Sequence, residues 1–175
     1  MSDMQHLDRH LTALAISESY ETPDGSRPRL SAANLHQYLA KLFYARRNKF
    51  DPLWNQVLVA GFDDDGEPFL GSADLRGTTF TSPSLATGFG AHLAQPIMRK
   101  LAPDEESARK LTREEAVKAI RDCMKVLYYR DARSMDKYSI AVVTKDGIEL
   151  SETEKLENQS WAFAEMIKGY GSQTV

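Results

Sequence analysis

With 175 residues the chain has the length of one ordinary domain, enough to bury a core and too short for a multidomain arrangement. Its 42% hydrophobic and 27% charged residues exclude a disordered polymer and a string of membrane spans. Lysine plus arginine number 22 against 25 aspartate plus glutamate, so no strong field directs the chain to nucleic acid or to an anionic membrane surface. The single cysteine, Cys123, has no internal disulfide partner, and with no charged-then-apolar leader at the start an intracellular chain is expected.

The chain enters a helical pattern within three residues, an abrupt start that raises the expectation of an upstream segment. Met4, Leu7, Leu11 and Leu14 recur at helical spacing and predict a first helix ending near Tyr20, before the loop "SYETPDGSRPR". Ser31 is placed to cap a second, antiparallel helix with Leu35, Tyr38, Leu39, Leu42 and Phe43 on its apolar face. Arg46, Arg47 and Lys49 gather at its C-terminal end, where the helix dipole favours cations. "LWNQVLVAGF", a turn at "DDDG", "EPFLGSADL" and "TTFTS" then read as a meander of three strands.

In "SPSLATGFGAHLAQP", residues 82–96, Gly88 and Gly90 open a predicted helix running through His92, Leu93 and Ile97. Thr112 and Glu115 form a capping box for a long helix expected to bury Ala116, Ile120, Cys123, Met124 and Leu127. "KYSIAVVTKDGIELSE" is a hairpin turned at Asp146-Gly147. Its "SIAVVT" is apolar on both alternating faces, so a sheet covered on each side is expected. Trp161, Ala164 and Ile167 suggest a short last helix. Residues 170–175 read as an extension beyond a domain spanning 1–169. The order of elements lacks the alternation of a parallel doubly wound sheet and predicts an α+β protein.

Several residues invite a chemical reading, and most yield to a plainer one. Gly88-Phe89-Gly90 has Leu93 where a dinucleotide fingerprint needs glycine and lacks the lysine of a phosphate loop, leaving backbone geometry as the use of both glycines. His6 and His10 stand four apart, but no third metal ligand is evident nearby. Asp63, Asp64 and Asp65 sit at a predicted hairpin tip, outside any calcium-loop pattern. Cys123 lies on an apolar face, where a thiol packs more often than it reacts. "VLYYRDARS" either ties down the end of its helix or builds a polar site, and composition leaves both open. No cofactor and no metal are expected.

Taken in order, "RRNKFDPLWNQVLVAGF", "PSLATGFGAHLAQP", "VLYYRDARS" and "IKGYGSQTV" resemble the beta-type subunits of the eukaryotic 20S proteasome, and among them the non-catalytic beta type-4 subfamily at the seventh beta position. The resemblance runs from "SDMQHLDR" to the C-terminus. It implies the four-layer αββα sandwich of N-terminal nucleophile hydrolases, here missing its first strands, through a shortened gene model or isoform. Thr87 then stands where catalytic relatives carry the serine of a Gly-Ser-Gly-Ser turn, and Asp131 and Ser134 match the Asp-x-x-Ser element that supports their nucleophile. Active relatives attack with the hydroxyl of a mature N-terminal threonine. This chain begins Met-Ser-Asp, and Met135-Asp136 replaces their usual glycine pair.

The resemblance therefore implies no catalytic residue and no cofactor. The role it implies is that of a structural subunit held by other proteasome alpha and beta subunits, serving ATP- and ubiquitin-dependent protein degradation in cytoplasm and nucleus, with no nucleic-acid or membrane partner. Missing strands would leave open edges and uncovered apolar faces, so the chain alone is expected to be aggregation-prone or partly ordered. Two other functions compete with this reading. One is an autonomous threonine-type hydrolase using Thr87, Asp131 and Ser134, and the other is a free-standing α+β binding module with a pocket of its own.

Overall fold

The computed structural model describes residues 2–21 and 30–166. Helix α1, Asp3–Glu21, opens at a capping box that the spacing Ser2-x-x-Gln5 encodes. The Gln5 amide N–H donates to Ser2 Oγ at 3.2 Å, and the Ser2 amide donates back to Gln5 Oε1 at 3.1 Å, satisfying two orphan donors at once. Helix α2, Ala32–Asn48, starts at Ser31, whose hydroxyl accepts from the Asn34 amide at 3.3 Å. The two helices run antiparallel. Asp3 Oδ2 accepts from the Trp54 amide, just past the end of α2, at 2.9 Å. About two turns along, His10 stacks on Tyr38 at 5.9 Å and shares a hydrogen bond with its hydroxyl.

Strands β1 (Gln56–Phe62), β2 (Pro68–Asp74) and β3 (Thr79–Thr81) form the expected antiparallel meander, in the order β1-β2-β3. Its two turns are built alike. Asp63 Oδ1 accepts from the Asp65 and Glu67 amides, and Asp74 Oδ1 accepts from those of Arg76 and Thr78. Gly66 and Gly77, at φ +79° and +81°, close both turns in the left-handed region. The repeated Asp-x-x-Gly spacing thus sets the register of the whole sheet.

Helix α2 lies across β1 and β2 and holds the core with them: Leu7, Ala32, Leu39, Phe43, Leu53, Val59 and Ala73. Within that core His36 is buried, donating from Nε2 to the Ser72 carbonyl at 2.7 Å and packing edge-on against Phe69. Of the stripe expected on α1, Leu7 is buried but Met4 is 58% exposed, because α2 meets α1 along only part of its length.

Beyond the meander come α3 (Gly90–Leu93), α4 (Gln95–Leu101), α5 (Glu105–Lys110) and α6 (Arg113–Arg130). The helix expected from Gly90 through Ile97 is interrupted at Ala94. Pro96 supplies no amide, and its ring crowds the carbonyl four residues back. Helix α5 was not anticipated. Asp104 caps it, accepting from the Ser107 amide at 2.8 Å, and this bond holds the Asp104 carboxyl below its usual range. The Thr112/Glu115 box opens α6 as expected, but the buried face does not. Cys123 is buried, whereas Ala116 and Ile120 are exposed, because α3 and α4 pack against the middle of α6 and leave its first turns uncovered.

Two short pairs complete the chain, β4 (Lys137–Tyr138) with β7 (Glu154–Lys155) and β5 (Ala141–Thr144) with β6 (Gly147–Leu150). The hairpin forms near Asp146-Gly147, with Thr144 facing Gly147. Its expected double cover is absent. No residue of β5 is buried, and Ile148 and Leu150 on β6 are more than 70% exposed; among the described residues β1 packs against β5, and α6 reaches the pair through the Arg113–Glu149 contact. The expected short last helix is a 3-10 helix over Ala162–Met166; Ile167 and the extension 170–175 lie outside the described residues. The architecture is α+β with three small antiparallel sheets.

The turn glycines provide a test of this packing. A Cβ on Gly77 would stand 2.7 Å from Tyr44 Cβ and 3.1 Å from the Ala40 carbonyl, whereas at Gly88, φ +61°, it would meet open space. Gly88→Ala should cost the left-handed backbone penalty of about 1–2 kcal/mol, and Gly77→Ala roughly 1–3 kcal/mol more through overpacking. Urea midpoints followed by circular dichroism check this. Equal shifts would mean that α2 is free to move off the sheet.

Candidate functional site

The three positions matched to active-site support lie in the turn before α3 and at the end of α6, two helices that pack together. Thr87 is half-buried in the turn leading into α3. That turn is braced from below by a pair the sequence reading missed: Gln95 Nε2 donates to the Ser84 carbonyl at 2.9 Å and to Ser84 Oγ at 3.0 Å, both residues being buried. The signal, a lone glutamine between Ala94 and Pro96, is readable only once the chain has folded back eleven residues.

Asp131 and Ser134 close the C-terminal end of α6. The Asp131 amide donates to the Leu127 carbonyl at 2.7 Å, and Asp131 Oδ1 accepts from the Arg133 amide at 3.0 Å. Ser134 Oγ donates to the Asp131 carbonyl at 2.6 Å, with those of Leu127 and Tyr128 within 3.4 Å. A helix end leaves its last carbonyls without partners, and the single hydroxyl proton of Ser134 is aimed at them. Of the two readings of "VLYYRDARS", the local geometry matches the tied-down helix end. Among the described residues no hydrogen bond joins Thr87 to either Asp131 or Ser134.

Ion pairs fasten α6 to the strands that follow. Arg113 pairs with Glu149, raising its own pKa and lowering that of the carboxylate. Arg121 meets Glu154 at 3.0 Å, which raises the Arg121 pKa, and burial with the nearby Glu154 charge pushes the Tyr138 hydroxyl up. Asp136 is raised by burial but brought below its usual value overall by hydrogen bonds from Gln159 and Lys155. The groove of about 450 Å3 between α6 and the hairpin is lined by these committed charges, with Val117 and Val142 between them. Glu114, in the first turn of α6, lines the same groove.

Of the other candidates, His6 and Asp65 are exposed. His10 is engaged by Tyr38, Asp63 by its own loop, and Asn34 Nδ2 reaches the Asp64 carboxylate. The Cys123 thiol is pushed up by burial and by the neighbouring Asp122 charge, with Sγ 3.8 Å from the Ala94 carbonyl. Among the described residues no group of three metal-ligating side chains forms, and no helix is long and apolar enough to cross a membrane.

Comparison with known proteins places this geometry in a lineage. The family described as "Proteasome subunit" matches residues 1–143. The chain is 48% identical to the probable proteasome subunit beta type-7 of Schizosaccharomyces pombe, covering 100% of this chain and 65% of that protein. Identity is 43% to proteasome subunit beta type-7 of Saccharomyces cerevisiae, over 100% of this chain and 66% of the relative. Against proteasome subunit beta type-4 of Xenopus laevis it is 39%, over 97% and 66%. The chain therefore spans just under two thirds of the length of these relatives.

If the helix end is what Asp131 and Ser134 serve, Ser134→Ala should cost about 1 kcal/mol, the usual net worth of one hydrogen bond. Asp131→Ala should cost a similar amount and Asp131→Asn much less, because an amide oxygen can still accept from Arg133. Hydrogen exchange of the Leu127–Arg133 amides reads this directly, and unchanged protection in Ser134→Ala would remove the assignment.

Proposed function

The chain belongs to the proteasome subunit family, and on that footing we propose that it is a non-catalytic, structural beta-type subunit of the 20S core. In this reading it supplies surface and packing to a beta ring, with other alpha and beta subunits as its partners, and contributes through them to ATP- and ubiquitin-dependent protein degradation. Its finer fold is the N-terminal nucleophile hydrolase sandwich of αββα layers, spanning residues 1–169, and its expected location is cytoplasm and nucleus. The observation that carries the reading is the 37–48% identity to relatives named beta type-7 and beta type-4 over 91–100% of the chain.

Two structural features support it. Sixteen large apolar side chains are exposed among the described residues, against eleven buried hydrophobic ones, a balance that suits a polypeptide completed by neighbours. Second, two of the three positions that match active-site support in catalytic relatives, Asp131 and Ser134, are otherwise engaged. The Ser134 proton and the Asp131 carboxylate serve the end of α6, and Met135 follows with its side chain 72% exposed. A hydroxyl engaged in this way is a poor partner for a nucleophile, which needs a free base or donor beside it.

An affinity-tagged chain expressed in its native cells should be recovered in a particle with alpha and beta subunits and should remain unlabelled by a threonine-directed covalent probe. Labelling at its mass would overturn the non-catalytic assignment. Recovery solely as a free chain would overturn the subunit role.

A further inference from the structure

The end of helix α2 holds a residue in an unfavourable place. The Lys49, Phe50 and Asp51 amides fold back onto the carbonyls of Arg46 and Arg47 at 3.1–3.2 Å, leaving Phe50 at φ +55°. Glycine is the usual occupant of such a helix end, because a Cβ is crowded in the left-handed region. Phe50 also leaves its ring 97% exposed. The chain thus bears two costs at one residue, a strained backbone and a hydrated phenyl group, with no burial to offset either.

Its surroundings have a defined chemistry. The Arg47 guanidinium lies 5.8 Å from the Tyr44 ring centroid, and Tyr44 is itself 54% exposed. Gly77 packs on Tyr44, Arg76 directly precedes Gly77 in the chain, and exposed Trp54 follows four residues after Phe50. Among the described residues Arg47, Lys49 and Arg76 form no ion pair. The neighbouring carboxylates are already engaged, Asp51 with Arg46 at 3.0 Å and Asp74 with the amides of its turn.

We propose that this face docks an acidic segment of a neighbouring polypeptide, with Phe50 as the apolar anchor and Arg47, Lys49 and Arg76 receiving carboxylates. The inference rests on the subunit reading above. Exposed Tyr44 with Arg47 over its ring, and exposed Phe50 and Trp54 a few residues on in the chain, have the composition of an interface hot spot. Three unpaired cations on a chain of net charge −3 give local complementarity to carboxylates without the continuous basic field that a phosphate backbone requires. Strain kept at one exposed residue is the pattern expected of a functional contact.

The assembled particle supplies the test. With p-benzoylphenylalanine at position 50, irradiation should cross-link the chain to a stretch of another subunit carrying net negative charge, identified by mass spectrometry. In parallel, Phe50→Gly should raise the urea midpoint of the chain, because glycine relieves the backbone. The same variant should compete against wild type for incorporation at least about tenfold less well, as the loss of a hot-spot ring implies. Arg47→Glu should impair incorporation without raising the midpoint. A cross-link to nucleic acid or to a neutral or basic stretch, no cross-link at all, or equal competition by Phe50→Gly overturns this inference alone. A wild-type chain that never enters a particle overturns the subunit reading and this inference with it.

Discussion

The close approach of α2 to the first sheet is the constraint on which the rest of the molecule depends. One row of the helix, Ala32, His36, Ala40 and Tyr44, repeats every four residues and faces glycine at each contact. A Cβ on Gly61 would stand 2.8 Å from Ala32 Cβ, one on Gly71 2.9 Å from the His36 ring, and one on Gly77 2.7 Å from Tyr44 Cβ. Removing side chains from the strands lets the helix backbone settle close enough for Leu39 and Phe43 to be buried beside Leu53 and Val59. It also brings His36 within 2.7 Å of the Ser72 carbonyl, so a polar ring is carried into the core with its donor satisfied. The packing needs small residues in register on one side and a four-residue helical row on the other.

That register explains which features were legible in the sequence. Helix starts were read well because Ser31 and the pair Thr112 and Glu115 bond to amides three residues away, a distance that sequence spacing encodes. The meander was legible for the same reason, since Asp63 with Gly66 determines its turn locally. The buried face of α6 was misread because periodicity identifies a stripe but not its cover. Ala116 and Ile120 lie on the right arc but stay exposed, Ile120 at 39%, while Cys123 meets the Ala94 carbonyl between α3 and α4. His36 and Gln95 were missed because their acceptors lie 36 and 11 residues away. Each looks like a surface residue until the partner carbonyl arrives. The three matched positions were legible as a pattern, but that Asp131 and Ser134 close a helix end was only one of two readings.

The second half of the chain is held together differently. Where α2 uses apolar contact, α6 reaches its strands through Arg113–Glu149 and Arg121–Glu154, pairs with one or both partners half exposed. Such pairs are screened by salt and contribute little each, so they orient the hairpin more than they stabilise it. The aromatic group Tyr128, Tyr129, Trp161 and Phe163, with ring centroids 5.2–6.0 Å apart, adds apolar contact at the end of α6. Trp161 and Phe163 nonetheless remain about half exposed. Two modules of unequal internal support follow, a tightly packed helix on a meander and a looser helix on two short strand pairs.

This asymmetry bears on what assembly would have to supply. A contact on the α2 side meets a surface already fixed by the core, so binding there loses little conformational freedom and favours affinity through preorganisation. A contact on the hairpin side meets Ile148 and Leu150 on a strand pair with few apolar neighbours, so fixing their side chains there costs more conformational entropy. The same apolar area therefore yields less net association on the second face than on the first. Small residues lie where backbones meet inside the molecule, at Gly61, Gly71 and Gly77. A large ring occupies the one helix end where glycine would relax the chain. The positions of both follow if the α2 face is shaped for contact on its inner side with the sheet and on its outer end with another polypeptide.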